Sequence, residues 1–168
     1  MSELDKNITY LLNKLATKNN IIFYFFRIFT FTGEWWMYIL YGIIVISIDF
    51  NKGIDAIRLG LLAYGINYPA YYFIKNIIKR KRPFEKYEQI KALVKPPDKY
   101  SLPSGHAGGT LISVLITTSF FEGLEFLFLW PIIVGLSRVF LGVHYISDCL
   151  IGLLLGFICY NLAYLIMF

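Results

Sequence analysis

Histidine and cysteine are scarce in this chain, two of each, and acidic residues number 11 against 16 Lys and Arg. The two cysteines exclude a disulfide scaffold. Cys149 and Cys159 fall in one apolar run, and on a single helix they would stand about 15 Å apart, beyond bonding range, so both read as small packing residues. Residues 1–20 are polar and periodic, with no basic-then-apolar order and no small-residue cleavage site, so membrane insertion is expected to rest on internal segments. No internal repeat and no low-complexity tract breaks the pattern.

What is present is grease. Hydrophobic residues reach 57% and aromatics 18%, with a mean hydropathy of +0.59, arranged in long runs that point to a membrane protein. The length of 168 residues suits one membrane-embedded domain over 1–168. Residues 1–33 form an amphipathic or interfacial N-terminal region: Leu4, Ile8, Leu11, Leu12 and Leu15 follow helical spacing, with Lys6, Asn13, Lys14 and Lys18 elsewhere around the helix. The core, 34–168, is expected to be an all-α polytopic transmembrane bundle. Five spans are predicted, near 35–50, 54–75, 104–121, 124–139 and 146–168, and a sixth if residues 21–31 cross fully rather than lying at the interface. Pro69 is a candidate kink in the second span, and Gly152 and Gly156 make a small-xxx-small step suited to close helix packing.

Three polar clusters interrupt the apolar runs: Lys75-(six residues)-Arg82-Pro83, Pro103-Ser104-Gly105-His106, and Ser137-Arg138-(five residues)-His144-(three residues)-Asp148. An up-down path through the spans puts all three at one face of the membrane. His144 and Asp148, four apart at a helix start, share a face; a carboxylate on one ring nitrogen fixes the tautomer and leaves the other nitrogen as nucleophile or base. The same pair could instead simply anchor a helix end. Lys75, Arg82 and Arg138 offer donors to a tetrahedral oxyanion. Ser104 is placed to cap a helix whose N-terminus, with Gly105, could bind phosphate oxygens. His106, one turn in, could protonate a leaving alkoxide. Lys79, Arg80 and Lys81, between Lys75 and Arg82, read as a solvated or headgroup-facing run.

Together the three clusters resemble the three-part signature of the type-2 phosphatidic acid phosphatase superfamily, matched at full spacing from Lys75 to Asp148. The short N-terminus departs from six-span members. The resemblance implies a nucleophilic His144 oriented by Asp148 and forming a phosphohistidine, with His106 as acid. It implies that Lys75, Arg82, Ser104, Gly105 and Arg138 hold the phosphate, and that no metal or cofactor takes part. A two-histidine metal centre is the rival reading, although the surrounding cations make it a poor cation site.

The expected activity is hydrolysis of a lipid phosphomonoester or diphosphate. Lipid A 1-phosphate and undecaprenyl diphosphate are the first candidates, with phosphatidylglycerol phosphate and phosphatidic acid beside them. Alternatives are a lipid phosphotransferase using the same chemistry and, in another class, a non-enzymatic transporter or lipid-binding protein. The partners implied are a phosphorylated lipid and the bilayer, with no nucleic acid. The expected location is the bacterial inner membrane, multi-pass, with the site facing the periplasm.

Overall fold

The computed structural model describes residues 3–168, and every regular element in them is helical. The order is α1 (Glu3–Lys18), α2 (Asn20–Phe31), α3 (Trp35–Ile48), α4 (Phe50–Ile78), α5 (Pro83–Lys86), α6 (Gly105–Phe120), α7 (Leu129–Phe140) and α8 (Ile146–Met167), with a 3₁₀ turn at Glu125–Phe128 leading into α7. Local chemistry sets several ends. Asn19 accepts from the amides of Ile21 and Ile22 at 2.8 and 3.3 Å, and Asp49 from that of Lys52 at 3.1 Å, satisfying amides that a helix start leaves unpaired. Pro69 sits inside α4 without ending it. Lys79, left-handed at φ 49°, ends α4 and turns the chain.

α4, α6 and α8 form the centre, where Leu59, Ala63, Ile112 and Ala163 are fully enclosed. The glycine step of α8 lies directly on α6: a Cβ on Gly156 would come within 2.5 Å of the Gly108 carbonyl oxygen, and one on Gly152 would overlap the Ser104 carbonyl. Backbone therefore meets backbone at the start of α6. Tyr41 and Tyr64 donate to the Ser113 and Gly109 carbonyls at 3.1 and 2.8 Å, tying α3 and α4 to α6.

Residues 21–31 form α2, which packs on α7 through the stacked Phe26–Phe140 pair. α2 meets α3 at a 65° bend rather than continuing into it. Among the described residues, α8 is the one helix long and apolar enough to cross a bilayer by itself; α2 and α3 pass that test together as a bent pair. α3, α6 and α7 have 14, 16 and 12 residues, short of the ~20 that a hydrocarbon core asks for. The expected fourth span loses length because Glu125–Phe128 is a 3₁₀ turn. The 29-residue α4 is long enough but carries Lys52, Asp55, Arg58 and Lys75.

α1 is helical as its periodicity predicts, and its faces are sorted inside-out. Asp5, Thr9 and Asn13 are buried against the protein while Leu4, Leu11 and Leu15 point outward. The Asn13 amide donates to the Lys91 and Phe140 carbonyls, each at 3.0 Å, and accepts from the Lys91 amide at 2.9 Å. A polar stripe facing protein and an apolar one facing out suits a helix lying in lipid.

Candidate active site

The three clusters meet at one end of the α4–α6–α8 centre. The last turn of α4 supplies Lys75, the turn after Lys79 supplies Arg82, the start of α6 supplies Ser104 to His106, and the end of α7 supplies Arg138. Gly142, at φ 76°, permits the tight turn after α7. The Arg138 carbonyl then accepts from the amides of Val143 and His144 at 3.1 and 3.2 Å, which sets His144 beside the end of its own preceding helix. Asp148 lies in the first turn of α8. Lys75, Arg82, Ser104, His106, Arg138, His144 and Asp148 are all buried; Gly105 is half-buried, and a Cβ there would come within 3.0 Å of the Tyr71 ring.

His144 Nε2 lies 3.3 Å from Arg82 Nη1. Its Nδ1 lies 3.5 Å from Asp148 Oδ2, an ion-pair distance without a hydrogen bond. Burial, then the charges of Arg82, Arg138, Lys75 and His106, hold His144 well below the ordinary imidazole range. It is therefore neutral at physiological pH, with Nε2 turned toward the cations. Asp148 is held mainly by other groups: Oδ1 accepts from Arg80 at 2.5 Å and Oδ2 from the Tyr145 amide at 2.8 Å.

Three residues to which sequence reasoning gave no role in the site complete the cluster. Asp98 accepts from Lys75 at 2.5 Å, from Arg82 at 2.7 Å and from Tyr71 at 2.5 Å. Burial alone would raise its carboxyl; the bonds from Lys75 and Tyr71 and the charges of Lys75 and Arg82 outweigh that and lower it. Glu34, in the break between α2 and α3, places Oε1 3.3 Å from His106 Nε2. Arg80, expected among solvated cations, is only 16% exposed and pairs with Asp148 and Asp5, whereas Lys79 and Lys81 are exposed as expected. The signals were faint: an acid after two prolines, an acid beside a glycine in an apolar stretch, and an arginine between two lysines.

Lys75 also donates to the Tyr100 carbonyl at 2.7 Å, and Arg82 to the carbonyls of Asp98 and Val143 at 3.2 and 2.7 Å. That leaves one of the three lysine protons and one of the five guanidinium protons uncommitted. Arg138 donates Nη1 to Thr30 at 2.5 Å, while its Nε and Nη2, Ser104 Oγ and His144 Nδ1 are buried without a hydrogen-bond partner. Ser104 holds the N-cap position of α6, but its hydroxyl makes no capping bond, contrary to its expected role as a cap. A guanidinium this deep with two unpaired nitrogens carries a desolvation penalty that an oxyanion would relieve.

The family model of the PAP2 superfamily matches residues 57–168. Decaprenylphosphoryl-5-phosphoribose phosphatase of Mycobacterium tuberculosis is 36% identical over 83 residues, which is 49% of this chain and 45% of that relative. The match thus spans under half of that relative's length. The fold is similar to that of Aquifex aeolicus LpxE, at TM-score 0.83 and 21% identity over 97% of this chain and 96% of that one. It is also similar to the first transmembrane PAP2 type phosphatidylglycerolphosphate phosphatase from Bacillus subtilis, at TM-score 0.74 and 21% identity over 98% and 87% of the two chains.

Proposed function

The chain belongs to the PAP2 superfamily, and from that premise we propose that it is an integral-membrane phosphatase hydrolysing a lipid phosphomonoester or diphosphate through a phosphohistidine. The observation that carries this reading is the set of unpaired buried donors, Arg138 Nε and Nη2 with Ser104 Oγ, beside a neutral His144. A tetrahedral phosphoryl group answers all of them, and phosphoryl transfer asks of the protein chiefly positioning and charge stabilisation.

In the first step His144 Nε2 attacks phosphorus, the bond from phosphorus to the leaving oxygen breaks (the lipid oxygen of a monoester, the bridging oxygen of a diphosphate), and that oxygen takes a proton from His106. The Glu34 carboxylate, 3.3 Å from His106 Nε2, favours the protonated imidazole that gives this proton. In the second step water attacks phosphorus, the phosphorus–nitrogen bond breaks, and His106 recovers a proton from the water. Orthophosphate and a free imidazole remain. Asp148 orients His144, and Lys75, Arg82, Ser104, Gly105 and Arg138 hold the phosphoryl oxygens. No metal enters these steps, and the clustered cations would repel one.

The lipid is best sought among lipid A 1-phosphate and prenyl diphosphates, with phosphatidylglycerol phosphate and phosphatidic acid next. The mycobacterial relative's name, which includes a prenyl lipid phosphate, favours the prenyl class. An acceptor hydroxyl in place of water would make the protein a phosphotransferase by the same first step. A transport role is disfavoured because the buried charges gather at one end of the bundle. We place the protein in the bacterial inner membrane as a multi-pass, single-domain enzyme with the site outward. α3, α4, α6, α7 and α8 are the five crossings, with the shorter helices completed by their flanking turns, and α2 lies at the interface.

The test is phosphate release by purified protein from a panel of these lipids, in chelator. Activity is expected on at least one lipid with EDTA present, and His144→Ala is expected to abolish it. Equal release by wild type and His144→Ala would remove the nucleophile assignment, and activity lost to EDTA and regained with Mg²⁺ would remove the metal-free one.

A further inference from the structure

Beside the His144–Asp148 pair lies a second polar cluster, which joins Asp5 of α1 to Arg80 after α4 and Ser147 of α8. The Arg80 guanidinium stacks over the Tyr145 ring at 4.1 Å. It donates Nη1 to Asp148 Oδ1 at 2.5 Å and to Ser147 Oγ at 2.7 Å, and Nη2 to Asp5 Oδ2 at 2.5 Å. Asp5 in turn accepts from the Ser147 amide at 3.2 Å and from its hydroxyl at 2.5 Å. Asp5 is 5% exposed and Asp148 0%.

We infer that Arg80 and Asp5 are positioning residues of the catalytic centre, and that α1 belongs to the active site as the strap that seats them. The inference rests on the reading of His144 and Asp148 as catalytic. One planar guanidinium bridges two buried carboxylates, a geometry that lysine, as a point donor, cannot reproduce. Arg80 pins Oδ1 of Asp148 and the Tyr145 amide pins Oδ2, so the carboxylate plane is fixed with Oδ2 toward His144 Nδ1. Asp5 fixes the guanidinium from the far side, and the cation held between the two carboxylates favours the anionic form of each. The outward leucines of α1 and the Asn13 bonds to Lys91 and Phe140 hold the strap down. His144 Nδ1 has no hydrogen bond of its own, so its orientation depends on where this second layer sets Asp148.

The experiment compares wild type, Asp5→Asn, Arg80→Ala, Arg80→Lys, Asp5→Asn/Arg80→Ala and His144→Ala on one cleaved lipid. Arg80→Ala is expected to lower kcat about 100-fold with little change in KM, the signature of a misplaced rather than a missing contact. Asp5→Asn should lower kcat about 10-fold, and the double variant should fall well short of the product of the two losses, because Asp5 acts in large part through Arg80. Ethylguanidinium should restore part of the Arg80→Ala rate and none of the His144→Ala rate. If Arg80→Ala is not recovered folded, Arg80→Lys carries the comparison, with the same kcat-only loss and the same shortfall from the product when combined with Asp5→Asn. Wild-type kcat in the Arg80 variants, or losses at the two positions that multiply independently without rescue, would overturn the inference. A wild type that cleaves no lipid overturns the phosphatase reading instead.

Discussion

His144 is a base that its surroundings forbid to become an acid. Burial and the charges of Arg82, Arg138, Lys75 and His106 hold its protonated form down, so the proposed nucleophile is ready at pH values where a free imidazole is already protonated. The sign gives a prediction. Activity carried by the neutral form should persist as pH falls, with the acid limb of kcat/KM well below 6.5. Arg82→Gln removes a charge that opposes protonation, so the limb should move to higher pH, toward the ordinary imidazole value, even as overall activity drops with the lost phosphate contact. The shape of the pH profile separates the two effects. Coincident limbs near 6.5 in both proteins would show that the cations do not act on His144.

At the scale of elements, the α6–α8 seam decides whether the site exists. The Ser104 amide donates to the Asp148 carbonyl at 2.9 Å, so the starts of the two helices that carry the proposed catalytic residues are joined directly, and that approach is possible because Gly152 has no side chain. Gly152→Leu should drive α8 off α6, lower stability by about 1–3 kcal/mol or more, and uncouple His106 from His144. Gly65→Ala is the matched control, since a Cβ there meets nothing within 4 Å. A thermal melt in detergent, with activity, checks both: Gly152→Leu should lose each, and Gly65→Ala neither.

The helices themselves were legible in the sequence, because hydrophobic runs and the glycine step are local signals. The motif residues converge as the up-down path implies. The partners Asp98, Glu34, Arg80 and Asp5 were not legible. Each acts across a long loop or from another helix, where periodicity does not mark it, and the motif that encloses Arg80 assigns it no role. Arg80 shows the limit most clearly: it differs from exposed Lys79 and Lys81 only in where the turn after α4 aims it.

Across the whole molecule, charge is uneven from end to end. Residues 75–99 carry nine of the 16 Lys and Arg, whereas the opposite turns hold Asp49, Lys52, Asp55 and Arg58, with Glu122 and Glu125. A bias toward positive cytoplasmic loops would set the catalytic end inside. Lys75, Arg80 and Arg82, however, are committed to Asp98, Asp148 and Asp5 and no longer count as loop charge. The remaining exposed lysines, such as Lys86, Lys95 and Lys99, can gather an anionic lipid headgroup toward the site. In the proposed orientation the site faces outward, and α4, some 43 Å long at ~1.5 Å per residue, carries Lys52 to the inner side. Gln89→Cys and Lys52→Cys lie on exposed positions at opposite ends, while native Cys149 and Cys159 are buried and should stay silent. An impermeant maleimide added to intact spheroplasts should label Gln89→Cys at once and Lys52→Cys only after permeabilisation. The reverse pattern would place catalysis in the cytoplasm and restore the loop charges as the topology signal.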